Sequence, residues 1–175
     1  MRLTSHDASF LYTETASGPM HGEGFTIVEG PLSYESYLAY ISRRIHLVPR
    51  FRQRLVFVPY NLAHPQWVDD PYFDLANYIR QHAVPEGTTL ETLLLIALEL
   101  GEALLDRTRP LWLTYVVENV EGSTVLINMS HHSLIDGASG VEVGAALSDF
   151  EPNPPPLSAH ESEWAPAPLQ TPLEL

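Results

Sequence analysis

A chain of 175 residues, 45% hydrophobic and 18% charged, has the composition of one globular domain with a packed core, too short for two domains and too apolar for a disordered chain. It contains no cysteine, which removes disulfides, thiolate metal sites and thiol nucleophiles. The net charge of -13 argues against a nucleic-acid partner, and no long apolar run follows a basic start, so the sequence predicts a cytoplasmic protein with neither signal peptide nor membrane span.

Residues 23–29 alternate loosely and stop at Gly30-Pro31, a strand closed by a turn. Ser33 opens a helix in which Leu38, Ile41 and Ile45 recur at helical spacing, with Pro49 just beyond its end. All the basic residues are arginine, and Arg43, Arg44, Arg50, Arg52 and Arg54 crowd together here. Such a cluster in an acidic chain suits an anionic group, either cofactor phosphates or lipid headgroups, and equally suits plain solvation of a helix end and an edge strand. Residues 52–58 predict a strand, residues 61–71 a loop, and residues 74–84 fit helix and strand equally.

Thr88-Thr89-Leu90-Glu91 reads as a capping box with Thr88 as its cap, opening a helix to about Leu105. That helix is apolar nearly all round, at Leu93, Leu94, Leu95, Ile96, Leu98, Leu100 and Leu104, which predicts a core helix buried on more than one side. Residues 111–118 and 124–129 read as a hairpin, with Gly122 available for a positive φ in its turn. After Gly137, the pattern Val141, Val143, Ala145, Ala146, Leu147 and Phe150 predicts a short helix. From Glu151 the chain is proline-rich and aperiodic, a linker of residues 151–175 after a domain of residues 1–150. Helices mixed with hairpins give an α/β or α+β class with a mixed, largely antiparallel sheet.

The segment His131-His132-Ser133-Leu134-Ile135-Asp136-Gly137 carries the chemistry. A strand end is rigid while the loop beyond it is open, so a base there is held in place and still reaches a ligand. His132 can take a proton from a hydroxyl or amine as that group attacks a carbonyl, as histidine commonly does, and an already activated thioester needs no covalent enzyme intermediate. Asp136 and Gly137 complete a tight turn. Other readings compete. Neighbouring residues of a strand point to opposite faces, so His131 and His132 do not easily share a metal ion. Both histidines could be satisfied polar residues of the core. His131 with Asp136 also forms an H-x-x-x-x-D pattern, a signature of glycerolipid acyltransferases.

The segment 131–137 is similar to the H-H-x-x-x-D-G motif of the CoA-dependent acyltransferase superfamily, which includes chloramphenicol acetyltransferase and the condensation domains of peptide synthetases. Ser5-His6-Asp7-Ala8-Ser9-Phe10-Leu11, Pro19-Met20-His21-Gly22, Pro110-Leu111-Trp112 and Trp164-Ala165-Pro166-Ala167-Pro168 resemble, in order, segments of the first half of bacterial wax ester synthase/diacylglycerol acyltransferases. The resemblance implies a two-layer α/β sandwich like one half of chloramphenicol acetyltransferase. It implies transfer of a fatty acyl group from acyl-CoA, a co-substrate rather than a bound cofactor, to a long-chain alcohol or a diacylglycerol, with no metal. His132 would then be the base, with His131 beside it; Asp136 would pair with Arg107 or Arg109, and Gly137 would keep the turn. Pro110, Leu111 and Trp112 would shape the fold or an acyl tunnel, Trp112 as core. Members have two similar halves, so the resemblance also implies a second half, in the same protein or on a separate chain, an exposed apolar face to meet it, and peripheral contact with membranes or lipid inclusions. The alternatives are a non-catalytic lipid- or partner-binding half-domain and a condensation-type enzyme.

Overall fold

A computed structural model describes residues 1–135, 137–151 and 164–168, with residues 137–139 described by their backbone alone. Its main sheet has four strands in the order β1-β6-β5-β4: β1 (His21–Val28), β6 (Ser123–His131), β5 (Trp112–Val120) and β4 (Ile79–Gln81). Both pairings of β6 are antiparallel and β4 joins β5 in parallel, so the sheet is mixed and largely antiparallel, as the sequence predicts. A separate antiparallel pair joins β2 (Gln53–Val56) to β3 (Gln66–Asp69).

Alternation along β5 and β6 sorts their side chains onto two faces. Trp112, Val116 and Leu126 enter one core with Ile41 of α2 (Tyr34–Ser42), against which Val143, Ala146 and Leu147 of α4 (Gly137–Leu147) also pack. Val117, Val120, Val125 and Ile127 face the other way, onto Leu93 and Ala97 of α3 (Leu90–Gly101). The hairpin turn uses positive φ at Asn119, Glu121 and Gly122, the glycine as expected.

The remaining helix, α1 (Ser5–Thr13), has no counterpart among the elements expected from sequence. Its start is locally encoded: the Thr4 hydroxyl accepts the Asp7 amide at 3.1 Å and donates to the Asp7 carboxylate at 2.7 Å.

Several expectations need correction. The cap of α3 is Thr89, which accepts the Thr92 amide at 3.2 Å, because Thr88 is spent on the preceding turn, donating to the Pro85 carbonyl at 2.7 Å. The helix ends at Gly101, and it is buried on one side only, since Leu94, Leu95 and Leu98 are exposed. With Phe25 and Ile27, whose register partners Ile127 and Val125 mark them as lying on the same face of the sheet, they leave an apolar strip of the kind a second half was expected to meet. The stretch expected to be a loop contains β3, because Trp67 is 4% exposed and anchors the ladder opposite Leu55. The ambiguous residues 74–84 resolve into a single turn capped by Asp74 followed by β4. Of the proline-rich segment, residues 152–163 and 169–175 lie outside the described residues. Trp164 packs edge-on against Phe73, with the Arg52 guanidinium 5.1 Å from its ring, and the Ala167 amide donates to Asp69 at 3.0 Å. Among the described residues no helix is long and apolar enough to cross a membrane.

Candidate active site

The two histidines at the end of β6 have opposite environments. His131 is fully buried, while His132 is exposed. The His131 amide donates to the Leu111 carbonyl at 3.0 Å, and the His132 amide donates to Met20 at 2.9 Å, extending the β1 ladder one residue past its end. The His132 ring lies 5.2 Å from Phe10 of α1, centroid to centroid, and over Gly22 of β1, where a Cβ would come 3.4 Å from its Cε1. A strand neighbour with no side chain beyond Cβ is what leaves the imidazole its place.

His131 is fixed by donors. The Ser133 amide, 3.0 Å from Nδ1, can only donate, so Nδ1 carries the lone pair and the neutral ring holds its proton on Nε2. The Ser133 hydroxyl lies 2.7 Å from the same nitrogen. The Nε2–H faces Glu14 Oε1 at 3.3 Å without a well-aligned hydrogen bond. Burial pushes the His131 pKa down to about 4, outweighing the pull of the Glu14 carboxylate, so the ring is neutral at pH 7.

Glu14, at the end of α1, has a side chain only 1% exposed. Its Oε1 accepts the Met20 amide at 2.9 Å, and its Oε2 accepts Arg107 Nε and Nη2 at 3.1 and 2.8 Å. Burial alone would raise this carboxyl, but the Met20 amide, Arg107 and His131 together hold it below its usual range. Arg107 also donates to the Leu11 carbonyl at 2.8 Å. The Pro19-Met20-His21-Gly22 segment thereby gains a physical meaning: both polar groups of the Met20 backbone are bonded at the site, the His21 ring bonds the last carbonyl of α3 at Gly101, and Gly22 makes room for His132.

The structure therefore brings together His131, His132, Ser133, Glu14, Arg107, Phe10 and Gly22. Of the arginines expected at Asp136, Arg107 is engaged by Glu14, and Arg109 sits 3.5 Å from Asp106 in an exposed pair; Asp136 itself lies outside the described residues, and α4 starts at Gly137. Glu14 and Phe10 were not singled out from the sequence. Pro110 and Leu111 are buried, and Trp112 is core, stacked on Phe51 and Tyr78 and donating Nε1–H to the Phe51 carbonyl at 2.8 Å. The arginine cluster does not converge: Arg44 pairs with Asp149, Arg50 lies against Trp67 and Arg52 against Trp164.

A cavity of about 630 Å3 opens beside the site, between the sheet and helices α2 and α4. It starts at Ser130 and Ile135, with Ser130 two residues before His132 and on the same face of β6, and continues past Trp112, Leu126, Val143 and Leu147. Thr26, Asn128 and Thr114 cross its floor as a hydrogen-bonded rung, at 3.3 and 3.0 Å. Volume and apolar lining suit a small-molecule site.

Comparison with known proteins bears on the fold that carries these residues. A probable diacylglycerol O-acyltransferase of Mycobacterium tuberculosis is 35% identical over 169 residues, which are 94% of this chain and 62% of that protein, so the chain spans less than two thirds of its relative. The solved wax ester synthase/diacylglycerol acyltransferase of Marinobacter aquaeolei VT8 superposes with a TM-score of 0.67 at 29% identity, covering 82% of this chain and 37% of that one. The first condensation domain of the calcium-dependent antibiotic synthetase shares the fold, with a TM-score of 0.67 at 15% identity over 84% of this chain and 36% of its own. Residues 3–175 match the wax ester synthase/diacylglycerol acyltransferase catalytic domain, and the chain belongs to that family.

Proposed function

We propose that this chain supplies the general base of an acyl-CoA-dependent O-acyltransferase that esterifies a long-chain alcohol or a diacylglycerol. The observation that carries the reading is the exposed His132 ring, two residues beyond Ser130 of the apolar cavity lining and beside a buried, neutral His131. His132 takes the hydroxyl proton of the acceptor as its oxygen attacks the thioester carbonyl. The tetrahedral adduct then collapses, the C–S bond breaks, and the imidazolium returns the proton to the leaving thiolate. His131, Ser133 and Glu14 keep the backbone around His132 in place and act through it as positioning residues. Because relatives are longer, a second half, on the same or a separate chain, completes the acceptor side. The same reading puts the protein in the cytoplasm, in peripheral contact with the membranes or inclusions that hold its substrates.

The test is His132→Ala in the completed protein, assayed with a long-chain acyl-CoA and either acceptor. Loss of turnover with retained acyl-CoA binding supports the proposal. Near-normal turnover overturns it, and binding without turnover in the unsubstituted, completed protein favours a lipid-binding half-domain instead.

A further inference from the structure

The cavity beside His132 has two unlike ends. One lies at Ser130 and Ile135, next to the base; at the other, Tyr40 and Asp149 reach the lining. Arg44 holds both. It bonds the Asp149 carboxylate twice, at 2.6 and 2.7 Å, and its guanidinium lies 3.7 Å from the centre of the Tyr40 ring, while the Tyr40 hydroxyl donates to Asp149 at 2.8 Å. Arg44 is only 5% exposed while Asp149 reaches solvent, so a hydrocarbon chain arriving here meets a charged pair at the water's edge in place of more apolar wall.

One wall of the cavity is α4, whose lining residues from Gly140 to Leu147 span roughly 10 Å of helix. Along it, Gly140, Val143, Gly144 and Leu147 face the cavity. A Cβ built at Gly144 meets no atom within 4 Å, whereas one at Gly140 comes 3.3 Å from the Ile135 side chain. Gly144 therefore borders open space in the cavity wall between Val143 and Leu147, although glycine is a poor residue for a helix interior.

We infer that Gly144 and the Tyr40–Arg44–Asp149 cluster set the length of the lipid chain this cavity takes: Gly144 keeps the passage open, and the cluster ends it. The inference rests on the reading of the cavity as a lipid-chain site. It assigns chain-length selection to residues outside the segment 131–137.

The experiment measures binding of saturated fatty acids, from octanoate through hexadecanoate to eicosanoate, to the full chain by calorimetry, with thermal melts to establish folding. Each methylene kept out of an apolar site lowers affinity about fourfold, so a leucine side chain that displaces two of them costs at least about tenfold. Gly144→Leu, which also improves helix propensity, is expected to weaken hexadecanoate by that factor while leaving octanoate unchanged. Tyr40→Ala is expected to raise eicosanoate binding relative to hexadecanoate. A parallel loss across all lengths, or an unchanged length profile in both variants, overturns the inference. If the folded unsubstituted chain binds no fatty acid, the lipid-site reading itself fails and the inference falls with it.

Discussion

Gly22 lies beneath the His132 ring so closely that a Cβ on it would come 3.4 Å from Cε1, at the edge of ordinary contact. Alanine fits this space and a branched side chain does not. Gly22→Ala is expected to keep most acyl transfer in the completed protein. Gly22→Val is expected to tilt the imidazole and lower kcat by up to about 100-fold, the cost of displacing a reacting group by about 1 Å. Side-by-side kinetics and melting curves check this: an equal loss of kcat in both variants, or a Gly22→Val protein with full kcat, contradicts it.

The Glu14–Arg107 pair is lopsided, with side-chain exposures of 1% and 33%. Removing the arginine strands a buried carboxylate, whereas removing the acid leaves an arginine that can turn to water. Arg107→Ala is expected to cost about 3–5 kcal/mol, and Glu14→Gln clearly less. Denaturant unfolding of the two variants checks the order, and the reverse order rules the argument out.

The histidines should separate stability from activity. His132→Ala removes an exposed ring and is expected to shift stability by no more than about 0.5 kcal/mol while abolishing transfer. His131→Ala empties a fully buried site and frees the Ser133 donors, costing roughly 3 kcal/mol. Equal destabilisation by the two substitutions would count against the assigned environments.

Stability should fall with acid in a defined window. The pKa of His131 is about 4 in the folded chain against 6.5 when unperturbed, so between those values the unfolded chain binds the extra proton. The contribution is complete above pH 6.5 and drains away as pH falls toward 4. Glu14, also held low, pulls in the same direction at the acid end. Melting temperature against pH, compared with a His131→Asn variant whose curve should be flatter across this window, is the measurement. Indistinguishable curves would show that His131 does not carry the effect.

The part of this design that follows from short-range chemistry was readable in the sequence. Alternation over residues 124–129, the turn at Gly122 and the helix opened by Ser33 each express a local preference, and each forms. The motif placed its histidines at a strand end, where they are. What could not be read depends on distant partners. Glu14 and Arg107 are 93 residues apart and leave no periodic trace. The four-residue strand around Trp67 exists because β2 pairs with one edge and the chain's first residues bond the other. The apolar pattern of α3 predicts deep burial, because pattern alone cannot tell a core from an exposed apolar face.

The register of β6 has a consequence for how this chain tolerates change. Side chains on a strand alternate, so the pairing of His21 with His131 also decides which imidazole is dry and which is wet. A single-residue deletion between Ser123 and Ser130 that slid the rest of the strand along its neighbours would carry His132 into the Glu14 pocket and leave Ser133 in its place, and an insertion would put Ser130 in the pocket and His131 outside it. Substitutions along this strand act one site at a time. Changes in its length act on every residue after them, and libraries that vary loop lengths are better confined to the proline-rich segment beyond α4.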